Sequence, residues 1–175
     1  MNRLKLNALI VSLSLMAFSS TALADSMLDL QANLGVAHIL PDEGDGVTGF
    51  GLDVVVGLPL ALGVVPEVMV GYLSNESGGI TYGNLMVMGG FRFDVPMPML
   101  TPYVYAHFGL CSFTASIGDF STPAESELGM NLGAGVRYML ADTLGVGVSA
   151  GPVLVFMESG MGKYIRGNVS AFFTL

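Results

Sequence analysis

The sequence predicts an all-β protein: an eight-stranded antiparallel up-and-down transmembrane β-barrel. Three observations point to it. Apolar residues recur at every second position along most of the chain. Each such run persists for about 10 residues, the length a tilted strand needs to cross a bilayer. Beyond residue 24 the longest uncharged apolar stretch is 54–66, which Gly57, Pro59 and Gly63 interrupt. It falls short of the roughly 20 residues a membrane helix requires.

Composition agrees. The chain has 175 residues, 52% hydrophobic and 11% charged, with 24 glycines. An ordinary soluble domain carries about 25% charged residues.

Residues 1–24 read as a cleaved signal peptide. Arg3 and Lys5 form a positive start, residues 6–18 an apolar centre, and Ala22-Leu23-Ala24 a small-residue cleavage site, so the barrel domain is expected over 25–175. Cleavage between Ala24 and Asp25 leaves no cysteine at the new terminus, and lipoprotein processing is not expected. The mature chain keeps Arg92, Arg137, Lys163 and Arg166 against fourteen acids, a net charge of −10. That excludes a nucleic-acid partner. Cys111 stands alone and forms no internal disulfide.

Each strand is read from its alternation. The first sets Leu28, Leu30, Ala32, Leu34 and Val36 against Asp29, Gln31, Asn33 and Gly35. The second sets Phe50, Leu52, Val54, Val56 and Leu58 against Gly51, Asp53 and Gly57. The third covers about 64–73, with Glu67 opposite Val68, Val70 and Tyr72. The fourth sets Leu85, Val87, Phe91, Phe93 and Val95 against Asn84, Arg92 and Asp94. The fifth covers about 101–110. In the sixth, Leu128, Met130, Leu132, Ala134, Val136 and Tyr138 oppose Asn131, Gly133, Gly135 and Arg137. The seventh covers about 144–156. The eighth sets Ile165, Val169, Ala171, Phe173 and Leu175 against Tyr164, Arg166, Asn168, Ser170 and Thr174.

Alternation alone also fits a soluble sandwich. Lipid is favoured by the strand length and by the small, polar character of the second face, a poor soluble core. In lipid such a sheet must close, because an open edge leaves backbone groups unsatisfied. Connections after the second, fourth and sixth strands are short, at 59–63, 96–100 and 140–143. Those after the first, third, fifth and seventh are longer and more polar, at 41–46, 74–79, 111–126 and 157–162. Outer-membrane barrels pair short periplasmic turns with long outer loops. Both termini are therefore expected in the periplasm of a bacterial cell.

An eight-stranded barrel has an interior that side chains can fill. Asp29, Asp53 and Glu67 on the first three strands face inward, as do Arg92, Arg137 and Arg166 on the fourth, sixth and eighth. These six form the expected interior charged network, since buried charges must pair to offset desolvation. They act either as a structural plug or as a gate that re-pairs to admit ions. His107 shares inward parity with Tyr103 and Tyr105 and reads as a luminal hydrogen-bonding group. His38, with Ser74, Ser77 or Ser112 at the same level, is the candidate for catalysis, but no nucleophile motif surrounds any of them. No catalytic residue is assigned. Asp42-Glu43-Gly44-Asp45 lacks the ligand spacing of a calcium loop and reads as a solvated acidic loop. No metal or cofactor is expected. Phe50, Tyr72 and Phe108, with Phe93, Tyr138 and Phe173, are candidates for two aromatic girdles.

Thr101-Pro102-Tyr103-Val104-Tyr105-Ala106 followed by Asn131-Leu132-Gly133-Ala134-Gly135-Val136-Arg137-Tyr138 resembles the outer membrane protein β-barrel domain family, which holds the barrels of outer membrane proteins A and X. The resemblance implies the eight-stranded fold and a structural or adhesion-related role; a few members handle small molecules. Such barrels usually end on Phe or Trp, and this chain ends Phe172-Phe173-Thr174-Leu175. The expected function is a non-enzymatic structural, membrane-integrity or surface-interaction barrel with a closed polar lumen. A narrow channel or carrier for small solutes is the alternative, and a lipid-modifying enzyme the third reading. The partners expected are outer-membrane lipids, lipopolysaccharide and, during assembly, the barrel-insertion machinery. Oligomeric state is left open.

Two predictions follow from sequence alone. Mass spectrometry of membrane-extracted protein should find Asp25 at the N-terminus, and an intact Met1 would refute the signal peptide. An epitope placed within 118–122 should be reached by antibody on intact cells, while one fused after Leu175 should not. The reverse labelling would invert the topology.

Overall fold

A computed structural model describes residues 28–40, 46–95, 97, 99–118, 120–158 and 160–175. The signal peptide, its Ala24–Asp25 junction and the acidic stretch 42–45 lie outside these residues. The strands are β1 Asp29–Ile39, β2 Thr48–Gly57, β3 Val64–Ser77, β4 Ile80–Asp94, β5 Leu100–Ile117, β6 Phe120–Ser121, β7 Glu125–Met139, β8 Leu144–Met157 and β9 Gly160–Thr174. β6 is a two-residue stub that pairs with the end of β5. The other eight are the walls. Each pairs antiparallel with its neighbours in chain order. β1 then pairs with β9 from Asp29↔Thr174 to Ile39↔Tyr164, which closes the cylinder. The eight-stranded antiparallel up-and-down barrel expected from the sequence is the fold observed.

The barrel has a turn end, where β1 begins and β9 finishes, and a loop end opposite. At the turn end β2 leads to β3 through a tight 3-10 turn, Ala61–Gly63. Leu62 and Gly63 there have φ of 64° and 77°. Gly63 also sits so close to the carbonyl of Asp94 that a Cβ would collide with it, so glycine is required on both counts.

Several strands run further toward the loop end than alternation indicated. The stretch 111–126, expected as the largest loop, is mostly strand: β5 continues to Ile117 and turns back through β6, and β7 begins at Glu125. Likewise 74–79 narrows to a turn at Gly78 and Gly79, and 157–162 to a turn around Glu158. Eighteen residues of β5 extend about 60 Å at ~3.3 Å per residue. Tilted by about 45°, that still exceeds a hydrocarbon layer of roughly 30 Å. The surplus projects from the loop end as paired hairpins.

Parity sorts the side chains as alternation required. Leu34, Phe50, Leu52, Val104, Phe108 and Val169 are exposed on the outer wall. The six girdle candidates are exposed there too. Inward glycines on β7 and β8 stand where rings need room. A Cβ at Gly133 would strike Tyr105, one at Gly135 would strike Tyr103, and one at Gly145 would strike Phe172.

One expectation needs correction. The inner face is small and polar only in part. Toward the loop end it is an apolar core of Val55, Met69, Leu73, Met86, Met88, Cys111, Val153 and Val155, closed by Tyr164. The physical reason is volume: long thioether and branched side chains fill the upper cylinder at the density of a protein interior.

Candidate functional site

The polar half of the lumen, nearer the turn end, gathers the charged residues. Arg92 on β4 is its hub. Its Nη2 donates to Asp29 Oδ2 at 2.5 Å, its Nη1 to Glu67, and its Nε to Asp94 Oδ1 at 2.7 Å. Arg137 on β7 grips the same Asp29 with both terminal nitrogens, at 2.6 and 2.7 Å. Such a two-pronged pair fixes geometry as well as charge. The Arg137 guanidinium also lies 3.5 Å from the centre of the Phe172 ring, a cation–π contact.

A second group lies alongside. Arg166 on β9 donates to Asp53 on β2, which also accepts from Asn33, and Asn33 accepts from Gln31 at 2.7 Å. His107 Nε2 lies 2.9 Å from Glu67 Oε2 and so joins the Arg92 cluster. All six charged residues named from the sequence thus sit inside the lumen. Their ion-paired side chains are 1% to 7% exposed. The strands bring them together in two groups, around Arg92 and around Asp53.

Two residues that the sequence placed on the inward face were left out of the expected charged network. Asp94 is 17% exposed and completes the grip on Arg92. Its signal was present, because it follows Arg92 by two positions and must share its face. His107 was placed in the lumen without its partner. Glu67 and His107 are on strands far apart in sequence, and only the barrel's register sets them side by side.

Between these groups lies a cavity of about 20 Å³, lined by Asp53, Glu67, Arg92, His107 and Arg166 among others. That is room for about one water. Past it the apolar core fills the cylinder. The arrangement can hold charge.

The other candidates are placed as follows. His38 lies on the outer parity of β1, with Nδ1 3.1 Å from Thr48 Oγ1. Ser112 bonds to Ser126 at 2.7 Å, and Ser74 and Ser77 lie near the end of β3. His38 and Ser112 thus each have partners other than one another. Cys111 is buried as a free thiol in the apolar core. Among the described residues no group of three or more His, Cys, Asp or Glu is placed to hold a metal ion.

The family described as outer membrane protein beta-barrel domain matches residues 9–168. No curated protein matches the sequence. Among solved structures, Neisserial surface protein A is similar at TM-score 0.72 and 15% identity, over 85% of this chain and 96% of that one. The attachment invasion locus protein of Yersinia pestis is similar at 0.59 and 13%, over 86% and 99%. The outer membrane enzyme PagL is similar at 0.56 and 18%, over 83% and 98%. At these identities the likeness is one of fold.

The luminal pairs make a prediction. Arg92→Ala leaves Asp29 and Glu67 without their shared cation. Removing one member of a buried pair costs about 3–5 kcal/mol, so the urea midpoint of the refolded barrel should drop well below that of Val87→Ala, an outward change on the same strand. Equal midpoints for the two variants would mean that the luminal charges are solvated rather than paired.

Proposed function

The chain belongs to the outer membrane protein beta-barrel domain family, and from that membership we propose that it is a structural and surface-interaction protein of the outer membrane with a lumen closed to solutes. One observation carries the reading. Among the described residues the lumen holds paired charges in one half and an apolar core in the other. A charge pair that must break before an ion can pass sets a barrier of several kcal/mol, because each freed charge would face a poorly hydrated wall.

In this proposal the signal peptide ends at Ala24 and both termini face the periplasm, so the hairpins of the loop end reach beyond the outer leaflet. The belt of Leu34, Leu52, Val104 and Val169 meets lipid and the acyl chains of lipopolysaccharide. The barrel-insertion machinery is the assembly partner. Contact with other surfaces falls to the projecting hairpins, which are longer than spanning needs. Two of the similar structures are named for a surface or for attachment, which supports that assignment. PagL shows that this fold can carry an enzyme. Here the His38 side chain is engaged by Thr48 rather than by a serine, and a non-enzymatic role fits better.

Planar-bilayer recording tests the closed lumen. The wild-type protein should give no steady conductance, and Arg92→Ala should stay closed as well, because the apolar core beyond the charge cluster is unchanged. Steady current through the wild type would overturn the plug and favour the narrow channel.

A further inference from the structure

At the loop end β4, β5 and β6 form a projecting sheet whose two faces differ. Its register pairs Thr81 with Ser116, Tyr82 with Ala115, Ser116 with Ser121 and Ile117 with Phe120. Residues directly opposite one another in a sheet share a face, and successive residues of a strand take opposite faces. Thr81, Ser116 and Ser121 therefore lie on one face, the one that continues the outer wall. Ile80, Tyr82, Ala115, Ile117 and Phe120 lie on the other, which continues the inward face of Met86 and Cys111. Inside the barrel such a face is packed. Here Tyr82 is 42% exposed, Ile117 60% and Phe120 85%. A contiguous apolar patch left open to water marks an interaction surface.

Width and charge say what fits this strip. Strands lie about 4.8 Å apart, so the row from Ile80 to Phe120 is about 10 Å wide. It is open rather than enclosed, whereas small molecules favour concave sites. An open row of aliphatic and aromatic side chains suits the side chains of another polypeptide. Acids border it. Glu125 lies opposite Phe113 and Glu127 opposite Cys111, so both are on the same face as Ile117. Glu76 and Glu158 stand at the same end. Lys163 of β9 is already engaged, and Arg92, Arg137 and Arg166 are buried in the ionic layer. A second copy of this chain would bring the same acids against these, and anionic lipid headgroups would be repelled likewise.

We propose that this strip docks a basic amphipathic polypeptide segment, its apolar side chains on Ile80, Ile117 and Phe120 and its Lys or Arg side chains at Glu125 and Glu127. This partner rests on the surface-interaction role proposed above and gives that role its chemistry. The acids draw the segment in and orient it, and burial of Phe120 and Ile117 holds it.

Peptide binding to the full mature protein in phosphatidylcholine nanodiscs tests this. Both sides of a nanodisc are open to solution, so the result does not depend on which side of the cell the hairpins face; antibody labelling of intact cells decides that separately. The probe is a short fluorescent peptide that alternates Lys with Leu or Phe. It should bind above the level of empty nanodiscs, and about tenfold more tightly than the same peptide with Glu for Lys or than oligolysine. Phe120→Ser should weaken binding about tenfold with an unchanged urea midpoint. Ile117→Thr serves the same purpose should the first variant misfold. Glu125→Gln combined with Glu127→Gln should weaken binding about fivefold and flatten its dependence on salt. Ser121→Ala, on the opposite face, should bind as the wild type does. Binding no greater than to empty nanodiscs would overturn the proposal, as would equal affinity for the Glu peptide or oligolysine, or binding that survives both Phe120→Ser and Ile117→Thr. Phe120-dependent adhesion to phosphatidylserine vesicles would overturn it in favour of a membrane surface, and Phe120-dependent dimers without peptide in favour of a second copy.

Discussion

A strand edge exposed to hydrocarbon leaves a row of N–H and C=O groups with no water to satisfy them, each at a cost of several kcal/mol. The pairing of β1 with β9 removes the last such edge, and most other features of this molecule answer to that closure. Closing eight strands sets the diameter. The diameter sets a lumen that side chains must fill. The glycines of β7 and β8 are one consequence: Tyr103, Tyr105 and Phe172 lie in the lumen where the neighbouring strand offers no Cβ to meet them. Larger residues at 133, 135 and 145 would have to push rings, and then walls, outward.

The filling divides by height. Near the turn end it is ionic, with Arg92 linking Asp29, Glu67 and Asp94, and with Arg166 on Asp53. Near the loop end it is apolar. A buried ion pair adds little net stability over a well-packed apolar filling, so stability alone does not account for the charges. Specificity does. A strand that is apolar on both faces has no preferred inside, and a slip of one residue would exchange its faces at little cost. A charge on the inner face makes that slip prohibitive, because it would place Asp29 or Arg137 against lipid. Inward charges on β1, β2, β3, β4, β7 and β9 therefore fix six of the eight spanning strands in register.

This division also explains what could be read from the sequence. Alternation was legible wherever polar and apolar residues exchange, as in Asp29 to Val36 or Asn131 to Tyr138, and there the inward Asp29, Gln31, Asn33, Asn131 and Arg137 are buried. It fell silent in Leu85-Met86-Val87-Met88 and in Val153-Leu154-Val155-Phe156, where every residue is apolar. Parity could be carried into those stretches, but nothing marked them as core, so the apolar upper lumen was missed. The charged residues were legible as inward but not as partners. Which acid meets Arg92 depends on the stagger between strands, which no single strand encodes. Strand ends were missed for a third reason: the polar residues of 111–126 read as loop, yet hairpins beyond the membrane pair in water, where polar side chains on both faces carry no penalty.

The same reasoning bears on how the two ends of the barrel can differ in function. The turn end is tied by short connections and by the Asp29 cluster directly above them, so little there can vary without breaking a charge pair. The loop end rests on apolar packing, which tolerates volume-conserving exchange, and its hairpins carry no membrane constraint. Sequence is therefore free to diversify at that end.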